Sequence, residues 1–382
     1  MSFWNDPRKR SLIYQVVTLA LVGLAGYIIF SNTRANLERQ SIATGFAFLK
    51  ESCSFEIGES LISYSAASSY LSALLVGVLN TLKVSFVGIF LALILGTVVG
   101  IARLSSNWLV AKIAGAYIEV MQNIPALLQL FFWYAIFYQN LPSPRKALSP
   151  IDGVYLCNRG VYFAVPTSHP AYLYMGIAFG LALILCMLLY RWSKQRKDKT
   201  GKDFPLLKVS FAVIIGLPFL VWVAFGAPHE MDMPALRGFN FKGGINISPE
   251  FTALLLGLVM YTGAFIAEVV RSGIESVSKG QKEAAKSLGL KKSKVLNLVV
   301  LPQALRVIIP PVTSQMLNLT KNSSLAVGIG YPDFFSIANT TINQTGQAIE
   351  GVILIMLVYL IFSLSTSVFM NWYNKKSQLV ER

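Results

Sequence analysis

Eight stretches of this chain are long and apolar enough to cross a lipid bilayer, and this limits its fold more than any other property of the sequence. A span needs about 20 apolar residues to cross about 30 Å of hydrocarbon. Runs of that length fall near 11–30, 84–103, 117–138, 171–190, 206–226, 250–270, 303–325 and 348–370. In hydrocarbon each backbone N–H and C=O must find its partner inside the protein, so such runs are helical. The chain reads as an all-α polytopic membrane protein with about eight transmembrane helices. Its composition agrees, with 54% hydrophobic and 13% charged residues and a mean hydropathy of +0.57.

Eight spans place both ends on one side. On that side lie 23 of the 33 Lys and Arg and 8 of the 18 Asp and Glu, leaving +15 there and ten of each sign on the other. Basic loops stay in the cytoplasm, so the termini are expected there, in a multi-pass membrane protein. The strongly basic pI is thus topological, and nucleic acid is not expected as a partner. The first span follows Arg8-Lys9-Arg10 but is long for a signal-peptide core and shows no small-x-small cleavage site, which reads as a retained signal anchor. Of the three cysteines, Cys53 and Cys157 fall outside, where they could pair or stay as small unpaired residues.

Between the sixth and seventh spans lies the basic segment 271–302, RSGIESVSKGQKEAAKSLGLKKSKVLNLVVLP. Ser278 and Gln281 have capping-box spacing. Gln281 to Leu288 reads as helix, and Gly289, with no Cβ, stands where a left-handed C-terminal cap belongs. A helix of about ten residues is about 15 Å long, too short to span. The order Glu283-Ala284-Ala285, three residues, Gly289, nine residues, Val299, one residue, Leu301-Pro302 resembles the EAA signature of ABC importer permease subunits, with Val for the usual Ile. The strings EVMQNIPALLQLFFWY and LPQALRVIIPPVTSQMLNLTKNSSLA are similar to those of polar amino acid importers, and the added spans look like the general L-amino acid permease type.

That resemblance implies a MetI-like five-helix core with an extra N-terminal helix and an inserted helix pair. It makes the short helix a coupling helix seated in a separate ATPase, with Gly280, Glu283, Ala284, Ala285, Gly289, Leu301 and Pro302 in the contact loop. It also implies as partners a periplasmic amino acid-binding protein, ATPase subunits and a second, different permease chain. ATP would be bound by the ATPase, and this chain is expected to carry no cofactor and no enzymatic activity of its own. No G-x-x-x-x-G-K-[ST], no H-E-x-x-H and no metal-spaced Cys/His cluster occurs; His169 and His229 sit in outer loops.

Polar residues inside spans mark either interhelical hydrogen bonds or a solute path. Gln122, Asn123 and Gln129 flank Pro125 in the third span, and Gln315, Asn318 and Lys321 repeat at three-residue intervals in the seventh; both sets are candidates for lining the path. Pro125 should kink its helix, and Pro310-Pro311 should bend or break theirs. Gly96 and Gly100 permit close helix packing, Lys83 can reach the outer headgroups, and Glu268 with Arg271 forms a structural pair on one helix face. Residues 31–83 are expected to hold an amphipathic helix on the outer leaflet, and 139–170 to be extended without a clear element.

The chain divides into 1–83, a signal-anchor helix and outer segment; 84–138, the first part of the core; and 139–249, inserted loops and a helix hairpin. Residues 250–372, with the coupling loop 271–302, form the second part of the core, and 373–382 the cytoplasmic tail. The rival reading, a secondary transporter driven by an ion gradient, would want ionisable groups near mid-membrane, where this sequence has few.

Overall fold

The computed structural model describes residues 7–39, 44–201 and 203–377. Among the described residues seven helices are long and apolar enough to cross a membrane, and eight spans result when one sharply bent pair is counted as one. In chain order the helices are α1 Pro7–Arg39, α2 Tyr70–Arg103, α3 Trp108–Asn123, α4 Ala126–Ala135, α5 Pro170–Thr200 and α6 Leu206–Ala224. They continue with α7 Pro249–Glu275, α8 Lys279–Ser287, α9 Lys292–Val295, α10 Leu301–Asn322, α11 Phe334–Thr345 and α12 Ala348–Ser377.

The chain forms two compact units, one of residues 1–134 and 250–382 and the other of residues 135–249. In the first, α2 packs on α3, α10 and α11, and α12 packs on α10 and α11. The Gly96-Gly100 pair shows why α2 can come so near to α7. A Cβ at Gly96 would sit 2.6 Å from Cβ of Ile266, and one at Gly100 would sit 2.6 Å from the Ala267 carbonyl oxygen. No larger residue fits without moving a helix. Leu254, Leu258 and Ile266 of α7 and Leu319 of α10 are fully buried in this unit.

The outer segment does not form the expected amphipathic helix. From residue 44 to Ser69 it is irregular apart from a short 3-10 turn at Ala47–Lys50. Its apolar residues lack a 3.6 period, and several of them pack on protein, while Phe46, Leu61 and Ile62 stay exposed. Phe48 and Cys53 join Tyr70, Ala73, Leu74 and Val76 of α2 and Phe334, Ile337 and Ala338 of α11 in one cluster. Ser69 then caps α2, its side chain accepting from the Ser72 N–H. Lys83 is likewise held by protein: it pairs with Glu59 and lies 4.3 Å from the centroid of the Phe251 ring.

The second unit contains the antiparallel hairpin of α5 and α6 and eight short strands: β1 Leu148–Ile151, β2 Val154–Cys157, β3 Gly160–Phe163, β4 Val165–Pro166, β5 Met231–Asp232, β6 Ala235–Arg237, β7 Asn240–Lys242 and β8 Ile245–Ile247. The outer loop 139–170 is therefore not featureless. The order β1-β2-β3-β8 makes one antiparallel sheet, with Ile151 opposite Val154 and Cys157 opposite Gly160. Asp152-Gly153 is a strong hairpin signal, and Gly153 and Gly160 both take positive φ. Strands of two to four residues are too short for alternation to show against the proline-rich background. Cys157 is a buried free thiol in this unit, and Cys53 is one in the other, where it shares a hydrogen bond with the Tyr64 hydroxyl.

Candidate functional site

The segment after α7 is built to hold a short helix off the membrane. Glu268 and Arg271 meet at 2.5 Å, and Arg271 also reaches Glu275 at 2.5 Å, so one guanidinium bridges two carboxylates at the end of α7. Ser278 caps α8 by accepting from the Gln281 N–H at 3.4 Å, and Lys282 reaches back to the Ile274 carbonyl. The return half of the capping box is missing, since the Gln281 side chain makes no bond among the described residues. At the other end Gly289 has φ +74°. Its N–H donates to the Lys286 carbonyl at 2.8 Å, and the Leu290 N–H donates to the Ala285 carbonyl at 3.3 Å. These two bonds are a Schellman cap.

The helix has an inner and an outer side. Ala285 is buried, as are Val277, Val295 and Val300, and α8 packs on α9 and the turn that follows it. Gly280, Glu283, Ala284 and Gly289 are exposed. So is Leu288, at 81% of its full surface. This leucine stands exposed beside a glycine cap at the end of an otherwise hydrophilic helix. Sequence reading passed over Leu288 because one leucine between charged residues carries no periodic signal.

α10 opens at Leu301 with Pro302 in its first turn, and the span reaches back past them through α9 and the turn that follows it. The helix is continuous from Ser293 to Ile329. Residues Leu296–Val300 form a π turn that closes with the Leu301 N–H on the Leu296 carbonyl. Such a turn already leaves a carbonyl over, the Gln303 amide covers Val299 at 3.0 Å, and Pro302 has no N–H to lose. Pro310 and Pro311 likewise leave α10 unbroken as helix, in a stretch where Ile308, Ile309 and Val312 are buried. Packing by neighbours sustains prolines of this kind in membrane helices.

Pro125 does more than kink. Between α3 and α4 Ile124 is extended, with ψ 126°, and the two helices bend by 104°. Gln129 is 5% exposed, and its amide donates to the carbonyls of Met121 at 2.9 Å and Ile124 at 3.0 Å, which satisfies groups that the break sets free. Gln122 is an interhelical link, donating to the Ala264 carbonyl of α7 at 3.3 Å. Asn123 is exposed and donates back to Glu119 at 2.6 Å. On α10, Pro311, Ser314, Asn318 and Lys321 form one exposed stripe with Gln315 half-buried beside it. Lys321 and Ser324 stand at the polar edge of an open groove of about 770 Å³ walled by Ile353, Met356 and Tyr359.

A second polar cluster went unread in the sequence. Asp333 is fully buried and caps α11, accepting from the Ser336 N–H at 2.9 Å and from the Tyr359 hydroxyl at 3.2 Å. It lies between spans, and burial pushes its carboxyl up to about 6. The Asn80 amide donates to the carbonyls of Glu59 and Pro332, each at 2.9 Å, and the Thr81 hydroxyl accepts from the Phe334 N–H. The signal was an Asn-Thr pair within an apolar run.

Residues 205–378 match the family of the binding-protein-dependent transport system inner membrane component. The chain is 49% identical over 379 residues to the general L-amino acid transport system permease protein AapQ of Rhizobium johnstonii, covering 99% of this chain and 94% of the relative. It is 48% identical to the putative amino-acid ABC transporter permease protein YhdX of Escherichia coli, covering 100% and 97%. Among solved structures, an amino acid ABC transporter crystallised with histidines aligns at TM-score 0.48 and 19% identity over 80% of this chain and 95% of that one.

Proposed function

The chain belongs to the family of inner membrane components of binding-protein-dependent transport systems, and on that premise we propose that it carries polar L-amino acids inward as one half of a two-permease assembly. It is an ABC permease subunit, a transport component and not an enzyme, and its family works with ATPase subunits and a binding protein. The amino acid cargo rests on the near full-length likeness to AapQ and YhdX. The observation that carries the mechanism is α8, a capped helix joined to two spans with its outer side and Leu288 free.

In this reading both termini and α8 lie in the cytoplasm, where most of the chain's positive charge falls. ATP bound between two ATPase subunits closes them and shifts each α8. Because α8 is tied to α7 through Lys282 and packs on α9, which runs on into α10, its shift moves both spans. Two cores then rock between outward and inward openings, and the stripe of α10 with the bend at Gln129 faces the solute. A motor can bias this switch only by contacting the loop differently in its two states.

Co-expression of this chain with a second permease, an ATPase and a binding protein of this family, followed by reconstitution into liposomes, tests the reading. Uptake of glutamate and glutamine that needs internal ATP and survives collapse of the proton and sodium gradients is expected. Uptake that follows either gradient and ignores ATP would refute it.

A further inference from the structure

Between Arg191 and Lys208, where α5 ends and α6 begins, the chain carries seven Lys and Arg and two Asp, a net charge of +5. The pairing of the two helices fixes the level of that charge. The Cys186 thiol of α5 donates to the Ser210 carbonyl of α6 at 3.7 Å, and six residues on, the Trp192 ring meets the Phe204 ring edge to face at 5.2 Å. In this register Arg191 stands opposite Pro205, and Lys208 lies about one turn nearer the middle of the hairpin. Past Trp192, α5 runs on for eight residues, about 12 Å. Gly201, at φ +66°, then donates to the Lys197 carbonyl at 2.9 Å and turns the chain back.

The level of the ring pair has the make-up of a membrane interface. Both helices are long and apolar enough to span, and α6 buries none of its residues, so its apolar sides are open to hydrocarbon. Tyr190, Trp192 and Leu207 are exposed beside them. Aromatic rings at the end of a span sit among lipid headgroups. Arg196 packs over both members of the ring pair, 5.3 Å from the Trp192 centroid and 5.9 Å from that of Phe204, which pins a guanidinium at their level. Lys197 pairs with Asp203 at 2.7 Å, so one of the two acids is already spent. Arg191, Lys194 and Lys208 are exposed and form no ion pair among the described residues. The long stem of Lys208 lets its ammonium reach from one turn inside to the level of the rings.

We propose that this end of the hairpin binds the headgroups of acidic phospholipids. Arg191, Lys194 and Lys208 take the phosphate oxygens, and the ring pair with Arg196 holds them at headgroup depth. Each basic residue near a membrane surface favours anionic lipid by about fivefold. A zwitterionic headgroup gains less, because it brings a cation of its own that the cluster repels. An acidic protein surface would answer the same charge. The headgroup is the better match because the three cations lie beside bare apolar helix, at the depth where a phosphate is always within reach.

The test uses the full permease–ATPase assembly in detergent and a photoactivatable phosphatidylglycerol as probe, with its site of attachment mapped on peptides. Label is expected on the peptide that contains Trp192. Dioleoylphosphatidylglycerol should compete for it at least about fivefold better than dioleoylphosphatidylcholine. Most of that preference should vanish in 1 M salt, where charges are screened beyond about 3 Å. The triple variant Arg191→Gln, Lys194→Gln, Lys208→Gln alters exposed side chains and should melt like the wild type, yet bring the two competitors to within about twofold of each other. Arg191→Lys keeps the charge and should keep the preference. No label on that peptide, equal competition in the wild type, or a full preference in the triple variant would overturn the site. If the triple variant instead sheds the ATPase subunits and keeps its lipid preference, the surface belongs to a protein partner and the proposal falls.

Discussion

Replacing Gly289 separates the mechanical role of α8 from its mere presence. The residue sits at φ +74° with nothing within 4 Å of where a Cβ would be, so a side chain there meets no steric obstacle, only backbone strain. That strain is about 1–2 kcal/mol for alanine, and more for a β-branched residue. If the chain escapes by leaving the left-handed region, it gives up the bonds from Gly289 to Lys286 and from Leu290 to Ala285. Two hydrogen bonds are together worth about 1–3 kcal/mol, so neither route is clearly cheaper. Either way Gly289→Val shifts the balance between capped and frayed ends of a nine-residue helix by a factor of about 5–30. The expected result is faster amide exchange at Gly289 and Leu290, with reduced uptake and reduced transport-stimulated ATP hydrolysis, while the binding protein captures amino acid normally. Gly289→Asn, which tolerates the left-handed region, should keep most of the activity. Unchanged uptake in Gly289→Val despite faster exchange, or equal damage from Asn and Val, would refute the claim that the order of this cap is what the ATPase works against.

Three further outcomes are expected. Leu288→Asp alters a side chain that is 81% exposed, so stability in a thermal melt should hold within about 0.5 kcal/mol of wild type while ATPase subunits are lost on affinity purification. Gly96→Ala pushes a methyl to 2.6 Å from Ile266 and should destabilise the assembly by about 1–3 kcal/mol in a thermal melt, whereas Gly176→Ala, with open space around it, should not. Asp333 has its carboxyl raised to about 6 by burial, so the folded state holds its proton more tightly than the unfolded chain, whose carboxyl lies near 3.9. Stability from this group is therefore full below about pH 4 and falls as pH rises to about 6, by roughly 2–3 kcal/mol. Asp333→Asn keeps the cap and should flatten that slope in melts from pH 4 to 7.

Much of the architecture could be read from local rules because a membrane enforces them residue by residue. The apolar runs became helices because hydrocarbon offers the backbone no other partner, and the Ser278 cap and the Gly289 cap were legible because each depends on residues a few positions away. The proline effects were harder. Pro125 opened a 104° bend, yet Pro310 and Pro311 sit in unbroken helix. Proline weakens a helix equally in all three places, and what differs is whether neighbouring helices support the weakened turn.

The polar residues show the same division. Gln122, Asn123 and Gln129 look alike in the sequence, but one links two helices, one turns back on its own helix and one ties the break together. The roles of Asp333 and Asn80 have no local signal, because their partners lie over 25 residues away in Tyr359 and about 250 away in Pro332. By itself the sequence determined which segments enter the bilayer and where the short surface helix begins and ends, since hydropathy and capping act within a turn or two of chain. Only the tertiary structure decided which polar atoms remain unpaired, because a hydrogen bond is satisfied by whatever the fold brings within 3 Å, however far away it lies in the chain.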